Sequence, residues 1–134
     1  MVSKSPSVNG LKVCIVDDHD DSLYMLTLIL ENCQAEIKTA KSVDDAIQII
    51  EKWKPDVVIS DIVIPDKDGY SLIRFIRHKE GCCGGFIPAI ALTACVTPES
   101  YKAAINAGFQ EFICKPFDID EVVTTVAKIA LTRL

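Results

Sequence analysis

The chain lacks any run of Lys or Arg long enough to neutralise a row of phosphates, and its 14 basic residues are outnumbered by 19 acidic ones, for a net charge of -5. Nucleic-acid binding by this chain is therefore disfavoured. It also lacks a long apolar run: the longest, Phe86 to Val96, is interrupted by Pro88 and is too short to span a bilayer. Met1 to Gly10 is polar and carries no apolar core of a signal peptide. No membrane association is expected, and a cytoplasmic location is. The 6 cysteines form no pair of C-x-x-C knuckles, which argues against a structural zinc site. They read as reduced, mostly buried thiols, with Cys82-Cys83 in a Gly-rich loop open to oxidation. No G-x-x-x-x-G-K-[ST] loop follows the first apolar run, which excludes a P-loop nucleotide site. Repeats and low-complexity segments are absent as well.

What is present is one domain's worth of ordinary globular sequence. The 134 residues are 49% hydrophobic and 25% charged, enough for a single core. Residues 1–10 are expected to be a flexible tail or linker and 11–134 the folded domain. Strand-like and helix-period segments alternate five times: β1 11–16, α1 20–32, β2 35–39, α2 42–52, β3 56–60, α3 68–78, β4 88–92, α4 98–107, β5 111–114 and α5 119–131. This alternation predicts an α/β fold, a parallel sheet covered on both faces. β1, β3 and β4 are nearly continuous Val, Ile, Leu and Ala, as central strands should be, whereas β2 alternates polar and apolar residues and reads as an edge. Ser42, Thr97-Pro98 and Asp118 with Glu121 are helix-start signals, and Gly108 suits the end of α4. Ala46, Ile49, Ile50 and Trp53 form the apolar stripe of α2, and Val122, Val126 and Ile129 that of α5.

The chemistry collects where apolar runs stop. Asp17-Asp18 closes the first, Asp61 the third, Thr93 the fourth and Lys115 the fifth. If these strands are parallel neighbours, two acidic positions, a hydroxyl and an ammonium emerge at one sheet edge, where open α/β folds place ligands. The three carboxylates would repel one another, and a divalent cation relieves that; hydroxyl and ammonium would complete a pocket for a phosphoryl group.

Asp17-Asp18, Asp61 with Pro65 and Asp68-Gly69, Thr93-Ala94 and Lys115-Pro116-Phe117 together resemble the signature set of response-regulator receiver domains, in the right order and between the right elements. Each motif alone is weak; the set is specific. The resemblance covers Leu11 to the C-terminus. It implies a flavodoxin-like (βα)5 sheet of order 2-1-3-4-5, an arrangement for which a receiver domain is a standard example. It implies that Asp61 is the phosphoacceptor, attacking a phosphohistidine on a sensor histidine kinase or a histidine phosphotransfer domain. It implies Mg²⁺ held by Asp18 directly, Asp17 through water, Asp61, and the backbone carbonyl of Val63. Thr93 and Lys115 would each take a phosphoryl oxygen, and a carboxylate, ordinarily ionised at neutral pH, needs no general base. Thr93 moving inward and Phe112 filling the vacated space would form the switch, reported by the α4–β5–α5 face to a downstream partner or a second copy. Phe112 lacks the hydroxyl of the commoner Tyr, so its signal would be steric. Lys115-Pro116 matches a cis peptide of the family. Val63 and Cys95 flank the path of the hydrolytic water without offering a strong base, which predicts a phosphorylated state longer-lived than with polar residues there.

Duller readings exist for each residue. Asp17-Asp18 could cap α1, Asp61 could be a loop acid, Thr93 a turn residue, Lys115 a solvated charge and Phe112 a core aromatic. His19 is expected at the rim beside the acids and His78 on the exposed end of α3, neither of them needed. At the level of function the main alternative is a pseudo-receiver serving as a constitutive protein-binding module. A magnesium-dependent phosphatase with Asp61 as nucleophile is disfavoured, because Val63 stands where such enzymes carry a second acid. The leading class leaves open a stand-alone regulator or the receiver module of a hybrid sensor kinase.

Overall fold

A computed structural model describes residues 8–62, 69–83, 87–93, 97–116 and 118–131, with the backbone alone at 69, 79–83 and 100. Val63, Pro65, Asp68, Ala94, Cys95 and Phe117 lie outside the described residues. The elements run β1 (Lys12–Val16), α1 (Asp20–Glu31), β2 (Glu36–Ala40), α2 (Val43–Trp53), β3 (Val57–Asp61), α3 (Gly69–Cys83), β4 (Ala89–Thr93), α4 (Pro98–Ala107), β5 (Glu111–Cys114) and α5 (Ile119–Ala130). All four strand pairings are parallel and the sheet order is β2-β1-β3-β4-β5, a flavodoxin-like (βα)5 arrangement. The order reverses at β1, so a crevice opens beyond the carboxyl ends of β1 and β3. β2 is an edge, as its alternation predicted. Among the described residues no helix is long and apolar enough to cross a membrane.

Side chains on a strand point alternately to its two faces, and the core divides accordingly. Val13, Ile15, Val57, Ile59, Ile90, Leu92 and Ile113 pack with the stripes of α1 and α5. Cys14, Val16, Val58, Ala89 and Ala91 pack with α2, α3 and α4, joined by the half-buried Phe112.

Helix starts follow their sequence signals. The Ser42 hydroxyl accepts from the Asp45 N–H at 3.1 Å, and the Asp118 carboxylate accepts from the Glu121 N–H at 3.0 Å. Each satisfies one of the orphan donors of its helix. At the far end of α4, Gly108 adopts φ +124°. Its carbonyl accepts from Arg77 Nη2 at 2.7 Å and Nε at 3.1 Å, and Arg77 also donates to the Ile87 carbonyl and to Gln110 Oε1 at 2.8 Å each. One guanidinium thus ties α3 to the approaches of β4 and β5.

Four expectations need correction. Among the described residues the packing already includes Val8, ahead of Leu11 and buried in the α1/α5 layer; the Gly10 N–H reaches the Gln34 carbonyl and fixes this segment. α3 extends to Cys83, so the backbone of Cys82 and Cys83 is helical rather than looped. Cys114, the last residue of the edge strand β5, is exposed, while Cys14 is buried and burial pushes its thiol up to about 12. Finally, β3 and β4 each run one residue further than expected, so Asp61 and Thr93 are the last residues of their strands.

Candidate functional site

The register of the sheet assembles the site. Val16 pairs with Ser60, Asp61 with Leu92, and Leu92 with Ile113. Asp17 and Asp61, each one residue beyond the Val16–Ser60 pair, are thus neighbours on adjacent strands, about 4.8 Å apart in the pairing direction. Lys115 lies two residues past Ile113 and, by the period of two, on the same face. Thr93, opposite Cys114, falls on the other face, the one that Phe112 shares. The ladder persists past the strand ends: the Asp17 N–H donates to the Ala40 carbonyl and the Lys115 N–H to that of Thr93. The side chains are therefore placed by backbone pairing rather than by loop conformation.

Lys115 Nζ donates to Asp17 Oδ2 and to Asp61 Oδ2, both at 2.9 Å. Asp17 is fully buried, Asp61 is 5% exposed and Thr93 7%. The carboxylates therefore have a basic partner after all, one recruited from across two strands; strand-end spacing alone could not reveal how far its side chain reaches back. Asp17 Oδ1 accepts the His19 N–H at 2.9 Å, and His19 Nδ1 lies 3.1 Å from it. Burial would raise the Asp17 pKa, but the Lys115 hydrogen bond, the His19 N–H and the Lys115 charge outweigh it and leave the carboxyl below its ordinary range. Burial would likewise lower the Lys115 pKa; its bonds to Asp17 and Asp61 and their charges raise it instead. Asp17 does not cap α1, since the N-cap position belongs to His19, whose side chain makes no cap bond.

Asp18 Oδ1 is a buried oxygen without a hydrogen-bond partner. Leaving such an atom unsatisfied costs about 1–3 kcal/mol, more when it is charged. Asp17, Asp18, His19 and Asp61 each bring one ligand atom within 4.8 Å of the others. Three carboxylates against one ammonium formally leave two negative charges, which suits a hard divalent cation with oxygen ligands such as Mg²⁺. The residues present fit that ion: the orphaned Asp18 oxygen would be satisfied by it. Val63, expected to contribute its carbonyl, is outside the described residues.

All the described site residues named from the sequence converge at this edge: Asp17, Asp18 and Asp61 with Lys115 over them, and Thr93 at the end of the adjacent strand. Phe112 sits two residues before Cys114, half-buried, its ring centroid 5.8 Å from that of the exposed Tyr101 on α4. The Lys115–Pro116 peptide is cis, as the resemblance implied. His19, expected at the rim beside the acids, lies there with its ring against both of them. The partnership of Tyr101 with Phe112 escaped notice in the sequence, because it joins residues from different elements.

Comparisons with known proteins bear on the family and the fold. A family model described as response regulator receiver domain matches residues 13–127. The chain is 32% identical over 121 residues to an uncharacterized 14.6 kDa protein in the sodA1 3′ region of Leptolyngbya boryana, covering 90% of this chain and 91% of that one. It is 29% identical over 136 residues to hybrid signal transduction histidine kinase D of Dictyostelium discoideum, covering 92% of this chain but 9% of the kinase. Among solved structures, the chemotaxis response regulator CheY4 of Vibrio cholerae superposes with a TM-score of 0.81 at 25% identity, covering 90% of this chain and 99% of that one.

Proposed function

The chain belongs to the response regulator receiver domain family of two-component signalling, and on that premise we propose that it is a phosphoacceptor whose nucleophile is Asp61. A carboxylate oxygen of Asp61 attacks the phosphorus of a phosphohistidine on a sensor kinase or phosphotransfer domain. The new O–P bond forms as the N–P bond breaks, and the histidine ring leaves with the electron pair. The observation that carries this reading is the Lys115 ammonium bridging two buried carboxylates beside the orphaned oxygen of Asp18. Such a site holds one strong cation and has room for a second, as transfer of an anionic group requires.

In this reading Asp18, Asp17 and Asp61 hold Mg²⁺, with the Val63 carbonyl completing the protein's share. The ion supplies charge neutralisation for the incoming phosphoryl group. Lys115 exchanges an Asp61 oxygen for a phosphoryl oxygen, and Thr93 donates its hydroxyl to another. Thr93 and Phe112 share the α4 side of the sheet, so inward movement of Thr93 alters the space available to Phe112 and to Tyr101 upon it. The α4–β5–α5 face then presents two surfaces, one for each state, to a downstream protein or a second copy. The receiver acts as a stand-alone regulator or as a module of a hybrid kinase.

The test is intact-mass spectrometry after incubation with phosphoramidate and Mg²⁺. The wild type should gain one phosphoryl group in a Mg²⁺-dependent manner, and Asp61→Asn should gain none. An adduct that persists in Asp61→Asn would place the acceptor elsewhere.

A further inference from the structure

We propose that His19 is itself a ligand in the acidic pocket and gives it a preference for a first-row transition cation over Mg²⁺; this rests on the metal-binding reading above. His19 Nδ1 lies 3.1 Å from Asp17 Oδ1 and 3.3 Å from Asp18 Oδ1. The second contact is not a hydrogen bond, since that Asp18 oxygen has no hydrogen-bond partner. The ring nitrogen therefore stands near two carboxylate oxygens while satisfying only one of them. Two adjacent ligands on one ion at roughly 2.0–2.2 Å are themselves about 2.8–3.6 Å apart, depending on whether the site is octahedral or tetrahedral. Both observed separations fall in that range, and Asp61 brings a further oxygen within 4.8 Å of the set.

Ligand chemistry then sets the selectivity. Mg²⁺ takes oxygen ligands and gains little from an imidazole, whereas nitrogen ligands raise affinity along the series from Mn²⁺ to Ni²⁺ and Zn²⁺. The His19 side chain is 65% exposed and makes no cap bond to α1, so it is not committed to holding the helix. Its backbone N–H, which orients Asp17 at 2.9 Å, remains when the ring is removed. His19→Ala thus deletes the nitrogen ligand while keeping the carboxylates in place.

The experiment is calorimetric titration of Ni²⁺ and, separately, Mg²⁺ into the wild type, His19→Ala and Asp18→Asn, with thiols alkylated beforehand because Cys114 is exposed. His19→Ala should weaken Ni²⁺ binding by roughly tenfold or more while leaving Mg²⁺ within about twofold. In wild type loaded with diamagnetic Zn²⁺, the ring-nitrogen resonances of His19 should shift and those of His78 should not. Equal losses for both cations, or no loss for Ni²⁺, would overturn the proposal even with the pocket intact. Wild type and Asp18→Asn that both fail to bind Mg²⁺ and Ni²⁺ would instead overturn the pocket itself, and with it this inference.

Discussion

Replacing Lys115 with Met removes one ammonium from two buried carboxylates while keeping most of the side chain's volume. With contacts of 2.9 Å to each acid and charge centres roughly 4 Å apart, each pair is worth about 4 kcal/mol at an effective dielectric near 20. Desolvation of the ions offsets much of this. Deleting one partner of a buried network nevertheless exposes the others' desolvation cost, typically about 3–5 kcal/mol. Because Lys115 is partly exposed, the low end applies, and a loss of about 3 kcal/mol would lower the urea midpoint by about 1.5 M for a slope of about 2 kcal/mol/M. Trp53, beside Lys12 at the opposite end of β1, is a convenient fluorescent probe of unfolding.

The pH dependence makes this prediction sharper. In the wild type the folded Asp17 pKa lies below its unfolded value, so its contribution is complete above about pH 4 and is lost as pH falls through the lower folded value. In Lys115→Met both Lys115 influences vanish, and burial, the largest single influence, is opposed only by the hydrogen bonds from His19, so the carboxyl rises from its wild-type position. The folded variant then binds a proton more readily than the folded wild type, and its deficit shrinks on acidification by up to about 1.4 kcal/mol per pH unit. From pH 7 to pH 5 the variant's midpoint should rise relative to that of the wild type. A variant as stable as the wild type at pH 7, or a deficit that does not change with pH, would refute the burial and pairing argument.

Two backbone substitutions test the frame that holds the site. Gly108→Ala places a Cβ 3.1 Å from Arg77 Cγ and Nε and 3.2 Å from Ile73 Cγ1 at φ +124°, and should cost about 2–3 kcal/mol; an unchanged urea midpoint would contradict the close approach. Gln34 has φ +72°, so Gln34→Gly should raise stability by about 0.5–1 kcal/mol through relief of left-handed strain, and a lower melting temperature would count against that assignment.

Most of the architecture was legible because each level of the sequence agreed with the next. The apolar runs of β1, β3 and β4 are buried on both faces, and the alternating β2 lies at the edge. Helix starts at Ser42 and Asp118 follow local hydrogen-bonding chemistry and that at Pro98 the fixed φ of proline, neither of which needs tertiary knowledge. The less legible parts were those decided by distant partners. Val8 looked like tail because its burial depends on α1 and α5, which close over it only in the folded chain. The extension of α3 through Gly81 to Cys83 runs against the glycine's propensity. At the site, residue types and strand-end positions were readable, but the reach of Lys115 to Asp17 and the lean of His19 on the same acid depend on side-chain direction, which spacing does not encode.

The alternation of faces along the strands has a genetic consequence. Asp17, Asp61 and Lys115 occupy one reading phase of the pleat, and Thr93 and Phe112 the other. A substitution alters one letter of one phase, but inserting or deleting a single residue within β3 or β4 ahead of Asp61 or Thr93 exchanges the phases, turning core residues toward the opposite layer and the reactive group away from its neighbours. Length changes inside these two strands should therefore be far less tolerated than substitutions of similar chemistry, while the loops on the far edge of the sheet can lengthen without disturbing either phase.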